Sequence, residues 1–557
     1  MSRADDIPFH LAWPWCDMPS QQASVDAGRL CITTDADVDR TVAQGLTDDL
    51  PLLSAWTDSA GQQWKRFELP SVAAESEAGP AIEMLTVVLQ SRRAGRRRVD
   101  VRLVGLPRLS HADKQEDGDT PSDSWHEASS HAEGIIDRHI ELVNRLYDEN
   151  QPQEPPNAWQ GHAEGMAVRH HGAVIRAWQE SGGRDEPRMA LVVRLERGHA
   201  FRRLLNDVCN RPRRILVRQR QMQGIARIQE VDPACMRWMV RQPGVSVAQK
   251  AGIRQEALGV VRVETADTPE NRVVRDLVRR AIIACNRYIA ENHRFRQHQR
   301  VRLIRRFRQE LRDYLTRTPL ADVHPLVGVP TPNYVLQHDA RYRPLWDVYL
   351  KLVRQQKEQD EAWRWRHRIW AEHLTLGVMA SLEMGDSGMS PPNADLFIRA
   401  EQVCGKFLDP SGVPASWRLA GKEVAQAIDL VPGDSISAHP GIPASLAALG
   451  ADLLLIRRPL FSTQPLSILL IWAVLDFDIV RDGLQERTAS ISLALRTATA
   501  PCAMHGLLVQ PSFAQAAGSH RATATEKNAT GIRTALPEDV SCLAAAVREG
   551  LSMVRAG

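Results

Sequence analysis

Apolar residues recur at helical spacing most clearly over 268–318. Apolar positions fall at 273/274, 277/278, 281/282, 285 and 288/289, blur across 291–300, and return at 303/304, 307, 311 and 314/315. This predicts one long bent helix or two helices in succession. The start is well marked. Asp267 or Thr268 can cap, Pro269 fits the first turn, and Glu270 suits the positive end of a helix. The same spacing predicts helices over 132–150, through Ile135, Ile136, Ile140, Val143 and Leu146, and over about 342–382. Before residue 110 the pattern is different: short β-like runs such as Leu85–Gln90 and Val99–Val104 sit between turn residues. After 385–393 (GDSGMSPPN) the character becomes β/α. Strands are expected at Leu396–Arg399, Ala451–Ile456, Leu466–Leu475 and His505–Gln510. Helices are expected near 399–408, 419–428, 484–497 and 538–554.

The chain has 557 residues, enough for three or four domains at roughly 100–200 residues each. Hydrophobic residues make up 43% and charged residues 25%, so real cores can form and wholesale disorder is excluded. The polar, acidic stretch 111–131 reads as a linker. The division expected is a β-rich module over 1–110, that linker, a mainly helical middle over 132–362, and a C-terminal α/β domain over 363–557. The fold class is therefore α+β and multidomain.

Several chemistries are excluded by their motifs. Gly421-Lys422 is followed by Glu423 and lacks the earlier Gly that a phosphate-binding loop needs. No G-x-G-x-x-G follows a strand. Gly385-Asp386-Ser387-Gly388 imitates a serine-protease nucleophile but enters a Pro-rich turn. His170 and His171 are adjacent, His367 and His373 are six apart, and no H-E-x-x-H occurs, so ordinary histidines are expected rather than metal ligands. The eight cysteines include no C-x-x-C pair, which fits reduced thiols. The longest apolar run has about ten residues against the ~20 of a spanning helix. Acids occupy the N-terminus where a secretory leader is basic. A cytoplasmic location without membrane contact is expected.

The net charge is only +3, from 70 basic and 67 acidic residues, but the charge is sorted. Residues 1–60 and 111–165 are acidic. Residues 192–222 hold nine Arg against two acids, and 268–318 hold fourteen Arg against five. Guanidinium groups suit bidentate phosphate contacts. Arg213, Arg214 and Arg218, with Arg279, Arg280, Arg287, Arg302, Arg305 and Arg306, are the candidate nucleic-acid-binding residues. The bland alternative is a solvated helix face, or one matched to the chain's own acidic blocks. Only 8 of the 70 basic residues are Lys, a bias that a GC-rich coding sequence produces unaided.

The segment Asp267-Thr268-Pro269-Glu270-Asn271-Arg272 with its apolar helix resembles a hallmark of the McrC-like proteins, effector subunits of McrBC-type restriction systems. Arg341-Tyr342-Arg343-Pro344-Leu345-Trp346 is similar to that family's next segment. Ile369-Trp370-Ala371-Glu372-His373-Leu374 looks like its aromatic–Glu helix, which opens the nuclease fold. The likeness covers about 190–515. It implies an N-terminal domain of uncharacterised function, a C-terminal PD-(D/E)xK-type nuclease-like domain, and a separate AAA+ motor partner acting against foreign DNA.

The resemblance also implies a Mg²⁺ site, and the chain departs from it. Asp452 stands at the position of the first metal ligand. Where the family has Asp-Ala-Lys on the next strand, this chain has Trp472-Ala473-Val474. Losing an acid and a lysine at a metal centre costs orders of magnitude in rate. Asp476 and Asp478, with Glu372, are the residues that could replace the missing pair. Three readings follow. The first is a nucleic-acid-binding adaptor of a prokaryotic antiviral system, binding DNA (or RNA), needing no cofactor of its own, and coupled to a separate motor or effector. The second is a divergent Mg²⁺-dependent endonuclease using Asp452, Asp476, Asp478 and Glu372. The third is a regulator that docks an acidic protein on its basic helix.

Overall fold

The computed structural model describes residues 7, 9–13, 16–17, 31–35, 38–43, 49–72, 81–91, 95–106, 124–148, 166–182, 190–292, 295–384, 389–390, 395–401, 405–409, 415–419, 425–475, 483–498, 500, 502–512, 523–534, 536–537 and 539–552. These form two compact units. The first is built from 1–185 together with 357–557, and the second is the insertion 186–356. The fold is mixed α+β, with N-terminal β-sheets, a helical middle and a C-terminal mixed sheet covered by helices.

In the first unit, the alternating runs before residue 110 form antiparallel sheets. Ala81–Ser91 and Gly95–Gly105 make a long hairpin, with Val38–Ala43 along its edge. Period-two alternation sends Leu85, Val87 and Leu89 inward beside Val99, Val101 and Leu103. A second sheet orders Cys16–Asp17, Phe9–Trp13, Cys31–Asp35, Gln63–Glu68 and Leu52–Thr57.

The C-terminal sheet has eight strands. In order they are Met389–Ser390, Ala415–Leu419, Gln426–Pro432, Leu453–Pro459, Ser467–Ala473, Ala503–Pro511, Ala529–Thr534 and Thr523–Glu526. The first five pair antiparallel. Ser467–Ala473 pairs parallel with Ala503–Pro511 through the crossover helix Gly483–Thr497. The run Ile468–Leu475 is continuously apolar because its strand is covered on both sides. Leu469 and Ile471 face one core with Leu453, Leu455 and Val509. Ile468, Leu470 and Trp472 face the other with Leu454, Leu484 and Ile491.

Two expectations differ from the fold here. The described residues of the segments near 399–408 and 419–428 form strands rather than helices. Asp395–Glu401 and Gly405–Asp409 form a hairpin, and Gln426–Pro432 is a sheet strand. Residues 427–433 are all buried, so cross-strand packing overrides the local helical preference. The expected linker and helical middle also divide differently. The helix Ser124–Asp148 starts inside 111–131, and its Ile135, Ile136, Leu142, Val143 and Leu146 join the core of the C-terminal sheet. With His171–Gly182, Arg366–Glu383 and Val540–Ser552 it completes that core.

The second unit packs Leu191–Arg197, His199–Asn210, Pro269–Glu291 and Gln299–Arg317 around Leu205, Val208, Val274, Leu277, Val278, Ile304, Phe307 and Leu311. The pattern over 268–318 is thus two helices. From this core extends a two-stranded antiparallel ribbon, Ile215–Gly224 with Glu256–Thr265, ten residue pairs long.

The junction at Gly433 is a sensitive point in the sheet. Its amide donates to the Asp452 carbonyl at 2.8 Å, and a Cβ there would lie 2.3 Å from the Ala451 carbonyl oxygen. Gly433→Ala is expected to cost about 2 kcal/mol or more, and Gly224→Ala, with open space around it, less than ~0.5 kcal/mol. Equal denaturation midpoints for the two variants would contradict this packing.

Candidate nucleic-acid interface

The segment 267–272 is a hydrogen-bonding hub at the root of the ribbon. Thr268 caps the helix Pro269–Glu291, its hydroxyl accepting from the Asn271 amide at 3.4 Å, and Pro269 takes the first helical position. Asp267 does not cap. It accepts two parallel hydrogen bonds from the Arg272 guanidinium, at 2.8 and 2.6 Å, and a third from the His324 amide at 3.0 Å. The Arg272 hydrogen bonds, with those of His324, hold the Asp267 carboxyl well below the usual carboxylate range against the opposing effect of burial. Glu270 accepts from Arg213 at 2.8 Å and from the Asn333 amide group at 3.0 Å.

Asn271 is wholly buried and uses its side-chain amide in full. Its Nδ2 donates to the carbonyls of Arg213 (2.8 Å) and Ala266 (2.6 Å), and its Oδ1 accepts the Tyr342 hydroxyl at 2.7 Å. The Arg213 amide donates to the same hydroxyl at 2.9 Å. Burial pushes the Tyr342 phenol up to about 12, so it remains a donor at neutral pH. Two of the three segments that carried the resemblance therefore bond directly, Tyr342 to Asn271.

The predicted arginines separate into two groups. Arg213 is bound to Glu270, Arg214 to Glu264 at 3.3 Å, Arg218 to Glu230 at 2.5 Å, and Arg280 to Asp276 at 2.7 Å. Arg287 is half-buried and has a partner within the chain. Their charge is at least partly answered internally. Arg279, Arg302, Arg305 and Arg306 are exposed, with no hydrogen-bond or ion-pair partner among the described residues. On the helix Gln299–Arg317 the buried stripe is Val301, Ile304, Phe307, Leu311 and Tyr314. Arg302, Arg305 and Arg306, spaced three and four apart, therefore form one solvent-facing guanidinium row.

A second set escaped the sequence reading. The segment 225–255 closes the far end of the ribbon and carries exposed Arg227, Arg237, Arg241 and Arg254, with half-buried Lys250 beside them. None of these side chains has a partner among the described residues. The signal was present, since no acid lies between Asp232 and Glu256. Interleaved apolar residues hid it.

The expected metal site has a different character. Asp452 lies at the start of Leu453–Pro459, buried, and its Oδ2 accepts the Ala473 amide at 2.7 Å. Trp472 is buried with its indole donating to the Leu449 carbonyl at 3.0 Å, and Val474 is wholly buried. Glu372 is directed elsewhere. It meets His139 Nε2 at 2.9 Å, the Leu408 amide at 3.1 Å and Arg368 at 3.6 Å. Asp476 and Asp478 lie outside the described residues. Among the described residues no group of three or more His, Cys, Asp or Glu side chains could hold a metal ion. Among the described residues Asp452 supplies one carboxylate beside buried Trp472 and Val474, where Mg²⁺ requires near-octahedral oxygen coordination. The histidines 171 and 373 are buried and structural. His171 meets Glu383 at 3.1 Å, and His373 accepts the Trp178 indole at 3.0 Å. Burial keeps His373 neutral. Gly385-Asp386-Ser387-Gly388 and Gly421-Lys422 lie outside the described residues.

Residues 166–349 match a family model described as a domain of unknown function (DUF2357). This span takes in most of the inserted unit, with its hub, ribbon and basic helix. No curated protein matches the chain's sequence.

Two outcomes follow from the hub. Tyr342→Phe keeps the ring but strands the Asn271 oxygen and the Arg213 amide. It is expected to cost about 1–3 kcal/mol in urea unfolding. A cost near zero would show that the hydroxyl contributes nothing. Asp267 has a depressed folded-state pKa, so its ionised form stabilises the fold above the unfolded value of ~3.9, and this is lost as pH falls toward the folded value. Asp267→Asn should therefore flatten the decline of Tm with falling pH below about pH 4. An acid limb identical to wild type would rule the pair out as its cause.

Proposed function

We propose that this chain is a nucleic-acid-binding adaptor, an McrC-like component of a prokaryotic antiviral defence system, working in the cytoplasm with a separate motor or effector protein. The observation that carries the reading is the row Arg302, Arg305 and Arg306, with Arg279, exposed without carboxylate partners among the described residues. Unpaired guanidinium groups in a row match the spacing and bidentate geometry of a phosphate backbone. A helix face built only for solubility would be expected to carry both signs.

The segments of the resemblance support the family part of the proposal. The DUF2357 match spans the D-T-P-E-N-R hub and Arg341 to Trp346. The C-terminal order of helix, antiparallel strands, crossover helix and parallel strand is consistent with a nuclease-like ancestry. The apolar Trp472 and Val474, at positions where that family holds an acid and a lysine, support a scaffold role over metal-dependent cleavage. No helix among the described residues is long and apolar enough to cross a membrane.

The test uses the full chain with labelled single- and double-stranded DNA and RNA, titrated with NaCl by fluorescence anisotropy. Wild type should bind with a steep salt dependence. Arg302→Ala, Arg305→Ala and Arg306→Ala combined should weaken binding at least about tenfold and reduce the magnitude of the salt slope by roughly 2–3. No binding at low salt would overturn the proposal in favour of protein docking. Cutting in Mg²⁺ or Mn²⁺ that Asp452→Ala abolishes would replace the adaptor with a divergent nuclease.

A further inference from the structure

We infer that the ribbon Ile215–Gly224/Glu256–Thr265 and its cap form an arm that lies along duplex DNA and kinks it with an apolar tip. This rests on the nucleic-acid reading above and deepens it by naming duplex DNA as the ligand and bending as the act.

The first ground is the distribution of charge. The ribbon's own arginines are answered. Arg214 is held by Glu264, Arg218 and Arg262 by Glu230, and Arg220 by Asp232. The cations without partners lie in the cap (Arg227, Arg237, Arg241, Arg254) and on the basic helix of the core from which the ribbon springs. Ten antiparallel pairs span about 33 Å, close to the ~34 Å of one helical turn of duplex. Phosphate-gripping groups thus stand in the cap at the far end of a two-stranded element about one turn long, and again on the helix pair beyond its root, where Arg308 meets Asn286.

The second ground is the tip. Val245 is 97% exposed and Ile253 103%, and Met236, Val240, Pro243 and Val247 are exposed as well. These side chains do not stand on loose chain. Ser246 and Gln249 form a reciprocal cap, and Gln249 Oε1 also accepts the Val245 amide at 2.9 Å. Gln255 Nε2 donates to the carbonyls of Ala248 (3.0 Å) and Gly252 (2.7 Å). At Gly244, with φ +125, a Cβ would lie 2.8 Å from the Gln249 Cβ. The backbone is tied inward and the apolar groups are turned out. Apolar side chains flanked by unpaired arginines are what a minor-groove wedge requires: the cations hold the phosphates while the wedge unstacks a base step. Cations alone would fit any polyanion, and apolar groups alone would fit a protein groove. The combination at the end of a ribbon one turn long favours the duplex.

The experiment measures end-to-end fluorescence transfer in a doubly labelled duplex of about 30 base pairs, a length below the persistence length so that a bend is read directly. Wild type should raise transfer on binding. Val245→Ser with Ile253→Ser, both fully exposed and so harmless to the core, should abolish the rise at protein concentrations that saturate the duplex. Arg237→Ala, Arg241→Ala and Arg254→Ala combined should weaken binding about tenfold and reduce the magnitude of the salt slope by roughly 2–3. A bound duplex with unchanged transfer, or arm variants that bind and bend like wild type, would overturn the arm and leave its tip to a polypeptide partner. In that case the basic-helix variant would still weaken binding and the adaptor reading would stand. No binding of duplex, with single strands or RNA still bound, would overturn the arm alone; no binding of any nucleic acid would overturn both.

Discussion

The side-chain amide of Asn271, buried and with both N–H groups and its oxygen engaged, is the constraint on which the inserted unit depends. Helices Pro269–Glu291 and Arg343–Arg364, the ribbon root at Arg213 and the turn at Ala266 all converge on it, directly or through Tyr342. A low-polarity setting makes such a network strict, because each lost partner leaves a desolvated dipole behind. The neighbouring pair Asp267–Arg272 and the reach of Glu270 to Arg213 and Asn333 add charge-assisted bonds around the same point. The ribbon root is thereby tied to the helices. Two strands alone are marginal in water, and this root, with the cap at the other end, is what holds them.

The other unit is organised by apolar layers instead. Ser467–Ala473 is covered on both faces, and the positions where a metal centre would require charge are occupied by groups that pack. Trp472 contributes its ring to one layer and satisfies its single donor on the Leu449 carbonyl.

Much of the secondary structure was legible because period and burial agree. The helix pair over 268–318, the hairpin near 85–104 and the strand at 466–475 each show one period over enough residues. The strands near 399–408 and 419–428 were not legible, since their burial is set by sheet pairing with Met166–His170 and Leu453–Pro459 and not by a local period. The split of the arginines was hidden for a similar reason. Arg218 is answered by Glu230, which an isolated bridge to Val260 brings alongside the second ribbon strand. No periodicity announces such a return. The cap's cations were missed because Val, Met and Ile separate them. The hub motif was conspicuous, but its hydrogen bonds to Tyr342, Asn333 and His324 span 50 to 75 residues of chain and are visible only in three dimensions. Nothing in composition marks 185 or 357 as the borders of an insertion.

That insertion orders events during synthesis. The helix Ser124–Asp148 leaves the ribosome with its apolar face complete, yet the strand Ser467–Ala473 and the helix Val540–Ser552 that share its core are made last. At roughly 5–20 residues per second the wait is on the order of tens of seconds. The inserted unit is continuous in sequence and can close its own core within that interval. A nascent or truncated chain thus acquires its basic, ribbon-bearing part while its first segment still waits for the sheet. Premature termination would leave a folded cationic fragment attached to an exposed apolar helix, a species well suited to capture by chaperones and proteases.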